Sequence, residues 1–121
     1  MKKKLVALIV DDSQLIAERL LDLLKTSDNI DHTITGYNFE EGKKLLEKNE
    51  IDVVLLDINL PDKSGIELLK HIKMAGYPVK VIMVTNETNP IYRQTCMKLG
   101  AYEYFDKSIE FEKLLEIVEN L

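Results

Sequence analysis

The chain has 121 residues, enough for one domain with a sizeable core and too few for two, so a single domain over residues 1–121 is expected. A formal charge of -5 argues against a basic face for nucleic acid or an anionic membrane, and no direct contact with either is expected. The lone Cys96 cannot form an internal disulfide, which suits a reducing cytoplasm and a role as a small buried hydrophobe.

Met1-Lys-Lys-Lys4 followed by an apolar run imitates the front of a signal peptide. Asp11 and Asp12 interrupt that run before it reaches the roughly 7–15 residues such a segment needs. No apolar stretch approaches the roughly 20 residues of a membrane span, so a soluble, cytoplasmic protein is expected.

Leu5-Val-Ala-Leu-Ile-Val10 reads as a first strand, after which Asp12 or Ser13 supplies a helix cap. From Ser13 to about Lys25, Ile16, Leu20, Leu23 and Leu24 recur at the three-and-four spacing of an amphipathic helix. His32-Thr-Ile-Thr-Gly-Tyr37 alternates weakly, as a half-exposed strand does. Asn38 with Glu41 is a capping signature for a short second helix ending near Asn49, although Gly42 weakens it.

Ile51-Asp-Val-Val-Leu-Leu-Asp57 is apolar enough to be a strand buried on both faces, with its carboxylate at the carboxyl edge of a sheet. After Pro61, Ser64-Gly-Ile-Glu67 is a capping box opening a third helix, which Gly76 and Pro78 stop. Val79 to Val84 is a fourth strand ending at Thr85. Asn89-Pro90 opens a short fourth helix that runs to Leu99. Ala101-Tyr-Glu-Tyr-Phe105 is a fifth strand, and Ser108 caps a last helix carrying Ile109, Phe111, Leu114, Leu115 and Val118 inward.

Strands alternating with helices imply an α/β fold, a parallel five-stranded sheet wrapped on both faces by right-handed crossovers. The first, third and fourth strands are apolar throughout and belong in the middle; the second and fifth carry polar residues and belong at the edges. That fits a doubly wound, flavodoxin-like (βα)5 domain of order 2-1-3-4-5, whose switch point would gather Asp11, Asp12 and Asp57.

Three carboxylates about 5 Å apart repel by roughly 3 kcal/mol per pair at an effective dielectric near 20. Such a cluster needs a cation, and hard oxygen donors at a loop rim suit Mg²⁺. Lys107 is the only cationic residue among the strand ends, so three aspartates and one lysine total -2, which one divalent ion neutralises. A divalent ion, a carboxylate nucleophile, the Thr85 hydroxyl and the Lys107 ammonium are the parts needed to accept a phosphoryl group.

The ordered set of Asp11-Asp12, Asp57 with Pro61 and Gly65 following, Thr85 and Lys107 resembles the receiver domain of two-component response regulators, including the chemotaxis regulators. The resemblance spans essentially the whole sequence. It implies that Asp57 is the phosphoacceptor, Asp12 a direct Mg²⁺ ligand, Asp11 a ligand through water, and the backbone carbonyl of Asn59 a further ligand. It also implies that Thr85 and Lys107 contact the phosphoryl oxygens, and that Tyr104 is the aromatic switch whose ring turns inward when Thr85 moves. Asn59 and Glu87 fall at variable positions that tune dephosphorylation.

By the same resemblance the phosphoryl donor is a sensor histidine kinase or phosphotransfer protein docking near the first helix and the loop after the fifth strand. A downstream effector protein would read the surface formed by the fourth helix, fifth strand and fifth helix, with a homodimer also open. Because the chain ends with the fifth helix, output through a separate partner is expected unless this is a piece of a longer protein, and the domain is not expected to be an enzyme. Two departures stand out. Ser108 follows Lys107 where relatives have proline, so either a trans peptide with a shifted loop or a strained bond is expected. Lys63 replaces an apolar residue.

Two other readings remain. A haloacid-dehalogenase-like phosphatase also uses an aspartate after a buried strand, but Asn59 stands where its second carboxylate belongs. A degenerate receiver would act by protein contact alone. A flavodoxin-like flavin carrier fits poorly, since Asp11-Asp12 would repel its phosphate.

Overall fold

A computed structural model describes residues 3–107 and 111–121. The unbroken apolar runs form the middle of the sheet: β1 (Leu5–Val10), β3 (Val53–Leu56) and β4 (Lys80–Thr85). The more polar runs, β2 (Ile30–Gly36) and β5 (Glu103–Asp106), lie at the edges, and all four pairings in the order β2-β1-β3-β4-β5 are parallel. The topology is the one expected from strand composition. Between the strands run α1 (Gln14–Lys25), α2 (Phe39–Lys48), α3 (Gly65–Ala75) and α4 (Pro90–Lys98), with α5 (Phe111–Glu119) after β5.

Successive strand residues point to opposite faces, so each middle strand feeds two cores. Ala7 and Ile9 of β1, with Leu55 and Ile82, pack against Ala17, Leu20 and Leu24 of α1 and Leu114 and Val118 of α5. Leu8 and Val10, with Leu56 and Met83, pack against Phe39, Leu68, Leu69, Ile72 and Cys96 from the other three helices. Cys96 is fully buried there and burial pushes its thiol pKa up, as befits a packing residue. Each fully buried Leu or Ile contributes about 1.5–3 kcal/mol over its exposed state.

Four helix starts carry the expected caps. Ser13 Oγ accepts from Ile16 N–H, which resolves the choice between Asp12 and Ser13 and leaves Asp12 exposed. Asn38 Oδ1 accepts from Glu41 N–H, Ser64 Oγ from Ile66 N–H and Asn89 Oδ1 from Ile91 N–H. Glu41 reaches back to Tyr37 N–H at 2.8 Å, so this box closes one residue earlier than in the usual form. Gly76 ends α3 at φ 73°, a conformation that favours glycine.

The edge strands differ from expectation in extent. β2 starts at Ile30 rather than His32, because buried Ile30 adds an apolar contact and Leu5 N–H already bonds Asn29 C=O. Regular pairing in β5 starts at Glu103, after Tyr102 N–H has joined the ladder at Val81 C=O. Gly42, a weak point of α2 by propensity, is buried where the helix crosses β1: a Cβ there would meet Val10 and Leu68 side-chain atoms at 3.1 Å. The Ser108 cap, the inward Ile109 and the Lys107–Ser108 peptide lie outside the described residues. Among those described, no helix is long and apolar enough to cross a membrane.

Candidate functional site

The site is built by the sheet ladder running one residue beyond the strands. Val10 pairs with Leu56 in register, and Asp57 N–H bonds Val10 C=O at 3.0 Å, which sets Asp57 beside Asp11. On the other side Thr85 pairs with Asp106, and Lys107 N–H bonds Thr85 C=O at 3.0 Å. Residues from four strand ends therefore converge on the carboxyl edge, at the switch between β1 and β3.

Asp11 and Asp57 are buried, at 1 % and 4 % exposure, whereas Asp12 is exposed. One carboxylate oxygen from each lies within 4.8 Å of the others. The Lys107 ammonium bridges the two buried carboxylates, 2.8 Å from Asp11 Oδ2 and 2.9 Å from Asp57 Oδ2. The remaining oxygens are turned by backbone donors. Ser13 N–H bonds Asp11 Oδ1 at 2.9 Å, and Asn59 N–H bonds Asp57 Oδ1 at 3.3 Å.

Burial raises the Asp11 pKa, and Asp57 adds to it; the bonds from Lys107 and Ser13 N–H only partly offset this. Burial works against the Lys107 charge too, but the hydrogen bonds it donates to Asp11 and Asp57 outweigh it and raise the lysine above its usual value. The ammonium therefore stays charged, and two buried carboxylates share one cation. Among the described residues Asp11 Oδ2 has the Lys107 ammonium as its one partner, although a carboxylate oxygen can accept more than one donor. A buried oxygen in that state, beside two further carboxylates, fits a second cation with hard-oxygen preference.

The raised Asp11 pKa predicts a pH dependence. With a folded-state value above the unfolded value near 3.8, the folded protein binds more protons in between, so stability falls as pH rises through that window. Asp11→Asn removes this slope, and in thermal denaturation with chelator its advantage over wild type is expected to grow as pH rises from 3.8 toward neutrality. A constant difference would contradict the raised value.

Thr85 is fully buried at the end of β4, and its Oγ1 accepts from Glu87 N–H at 3.4 Å. Tyr104 sits on β5 with its ring turned into the core, 6 % exposed, and its hydroxyl donates to Glu87 C=O at 2.6 Å. Burial is the main reason its pKa is pushed up to about 12. Arg93 lies over the ring, 5.0 Å from its centroid. Asn59 is exposed, and its amide donates to Glu87 Oε1 at 2.9 Å. Glu87 thus touches Thr85, Tyr104 and the Asn59 loop at once, a junction that no local pattern announces.

Two further features escaped the sequence. A Cβ on Gly65 would fall on the carbonyl oxygen of Asp57, so the start of α3 is pressed against the backbone of the central aspartate. Asp62 accepts from Phe39 N–H at 2.8 Å and Glu40 N–H at 3.1 Å, the free donors at the start of α2. Neither has a signal in composition or period, since each depends on backbone groups brought together from distant positions.

The Response regulator receiver domain model matches residues 7–119. The sensory transduction protein LytR of Staphylococcus epidermidis is 35 % identical over 116 residues, covering 95 % of this chain and 45 % of that protein. A protein-glutamate methylesterase/protein-glutamine glutaminase of Clostridium acetobutylicum is 33 % identical over 110 residues, 87 % of this chain and 31 % of that protein. The crystal structure of the Mn²⁺-bound form of response regulator Rcp1 superposes with a TM-score of 0.79 at 28 % identity, covering 96 % of this chain and 90 % of that one. The chain spans from about a third to about half of the length of the curated relatives it matches. With the sheet order, the strand-end acidic cluster and this match over nearly the whole chain, the protein belongs to the response regulator receiver domain family.

Proposed function

We propose that this receiver accepts a phosphoryl group on Asp57 in a two-component phosphorelay. The single observation that carries the reading is the Lys107 bridge to buried Asp11 and Asp57, with Asp12 completing a cluster whose oxygens lie within 4.8 Å. Asp11, Asp12, Asp57 and the Asn59 carbonyl would hold Mg²⁺, and the Mn²⁺-bound relative supports a divalent ion there. When bound, the ion supplies positive charge for the phosphoryl oxygens.

Asp57 attacks phosphorus as the donor's phosphorus–nitrogen bond breaks and imidazole leaves, giving an aspartyl phosphate. The donor is a phosphohistidine on a sensor histidine kinase or phosphotransfer protein. Lys107, held charged by its two carboxylates, passes its hydrogen bonding to the incoming oxygens, and the Thr85 hydroxyl supplies a second donor. The product carries about -1.5 to -2 charge, which draws Thr85 inward. Because Thr85 and Tyr104 both bond Glu87, that movement reaches the Tyr104 ring and the α4–β5–α5 surface, where an effector protein, or a second copy in a homodimer, would dock. Shifting that surface from 1:99 to 99:1 takes about 5.5 kcal/mol of differential stabilisation.

Asn59 in place of a second carboxylate leaves no acid/base for a phosphatase of the haloacid-dehalogenase type, and the complete acceptor set argues against a degenerate receiver. The domain's own role is that of a cytoplasmic switch. Incubation with a small acyl-phosphate donor, read by intact mass, is expected to add one phosphoryl group with Mg²⁺ and none with chelator. No label in Mg²⁺, or equal label without it, would overturn the proposal.

A further inference from the structure

The loop from Asp57 to Gly65 is exposed along its middle: Asn59, Pro61, Asp62 and Lys63 face solvent, while Ile58 is buried in the core and Leu60 packs partly against it. Yet this loop must present the Asp57 carboxylate and the Asn59 backbone in one arrangement. At its far end Gly65 N–H bonds Ile58 C=O at 2.8 Å, which pins the exit. At Asn59 the side-chain amide donates to Glu87 Oε1 at 2.9 Å, and between these two ends the tether is Asp62. Its Oδ1 accepts from Phe39 N–H and from Lys63 N–H at 3.0 Å, and its Oδ2 from Glu40 N–H.

Those partners lie on α2, more than twenty residues earlier in the chain. The helix start has four N–H groups to satisfy. The carbonyl of Asn38 accepts the first intrahelical bond from Gly42 N–H and its side chain takes Glu41 N–H, leaving the amides of Phe39 and Glu40 for Asp62. A carboxylate there also meets the positive end of the helix dipole. Desolvation opposes its charge, but the backbone donors Phe39, Glu40 and Lys63 outweigh this and hold the Asp62 carboxyl below the usual range. Lys63 adds a second tie, its ammonium 5.0 Å from the centroid of the Phe39 ring.

We infer that Asp62 is a positioning residue for the phosphoacceptor site, clamping the loop that carries Asp57 and Asn59 onto the start of α2. The inference rests on the functional reading above. It assigns Asp62 a task beyond capping: with the clamp released, the Asn59 backbone no longer holds its place beside Asp57, and divalent binding weakens. It also makes the link reciprocal, because whatever orders the loop orders the first turn of α2.

Loss of a helix cap alone would give a stability effect without an effect on the site, and Asn38→Ala supplies that comparison on the same helix. Mg²⁺ binding is measured by calorimetry on wild type, Asp62→Ala, Asp62→Asn and Asn38→Ala, with thermal denaturation of each. Asp62→Ala is expected to weaken Mg²⁺ binding by about tenfold, the low end for groups that orient metal ligands. Asp62→Asn, which keeps an acceptor for Phe39 N–H, recovers part of it. Asn38→Ala loses thermal stability but keeps wild-type affinity. Wild-type affinity in Asp62→Ala, or an equal loss in Asn38→Ala, would overturn the inference alone. Wild type that fails to bind Mg²⁺ would overturn the functional reading and this inference with it.

Discussion

Asp57→Asn is expected to lower the rate of phosphoryl labelling by at least about 10³-fold, the scale seen when a nucleophile is removed from an otherwise intact site. An amide is a poor nucleophile, and no other carboxylate takes its place. Asp11 is buried with its Oδ1 committed to Ser13 N–H, and Asp12 is exposed at the rim. The substitution does little harm to folding. An amide oxygen still accepts from Asn59 N–H, Lys107 keeps Asp11 as its partner, and one of two mutually repelling buried charges is gone. Intact mass and thermal denaturation on the same sample separate the two effects: label lost with folding retained. Equal labelling of wild type and Asp57→Asn would remove Asp57 from its role.

Gly65→Ala is expected to destabilise the fold by about 3 kcal/mol, the upper end for inserting atoms into a packed site. The new Cβ would fall on the Asp57 carbonyl oxygen, 2.8 Å from its carbonyl carbon and 3.1 Å from the Ile58 Cα. All three are backbone atoms, so no rotamer change relieves the contact. Either α3 moves away from the sheet or the backbone of Asp57 shifts, and labelling falls in both cases. Gly76→Ala is the comparison. It meets nothing within 4 Å and suffers only from its φ of 73°, so chemical denaturation should show a loss nearer 1 kcal/mol. Equal losses for the two would mean that the close approach at Gly65 is easily relieved.

Much of this was legible in the sequence, for a physical reason. A strand buried on both faces has to be apolar along its length, so the first polar residue marks where it leaves the sheet. Asp11, Asp57 and Thr85 were each found that way, and the polar residues of β2 and β5 placed those strands at the edges. Lys107 followed as the cationic residue among the strand ends, and it bridges two members of the acidic cluster. The expected start of β2 was late because Ile30 precedes the alternation and reads as loop.

What remained hidden lies between elements. The hydroxyl of Tyr104 ends on a carbonyl of the β4–α4 loop, Asp62 caps a helix that begins 23 residues earlier, and Gly65 is required by a carbonyl rather than by its own dihedral angles. Backbone groups carry no side-chain label, so pairings of this kind become visible only once the chain is folded. Gly42 shows the same limit in reverse: an apparent helix weakness is the place where α2 has to come close to Val10 and Leu68.

The central claim is that the strand-end acidic nest makes one particular carboxylate ready for phosphorylation. The most direct test is to label the protein with an acyl phosphate in Mg²⁺, reduce the mixed anhydride with borohydride, and map the modified residue by peptide mass spectrometry. The account predicts reduction at Asp57 alone, abolished by chelator during labelling. Modification at Asp11, Asp12 or a residue outside the cluster, with Asp57 intact, would contradict it.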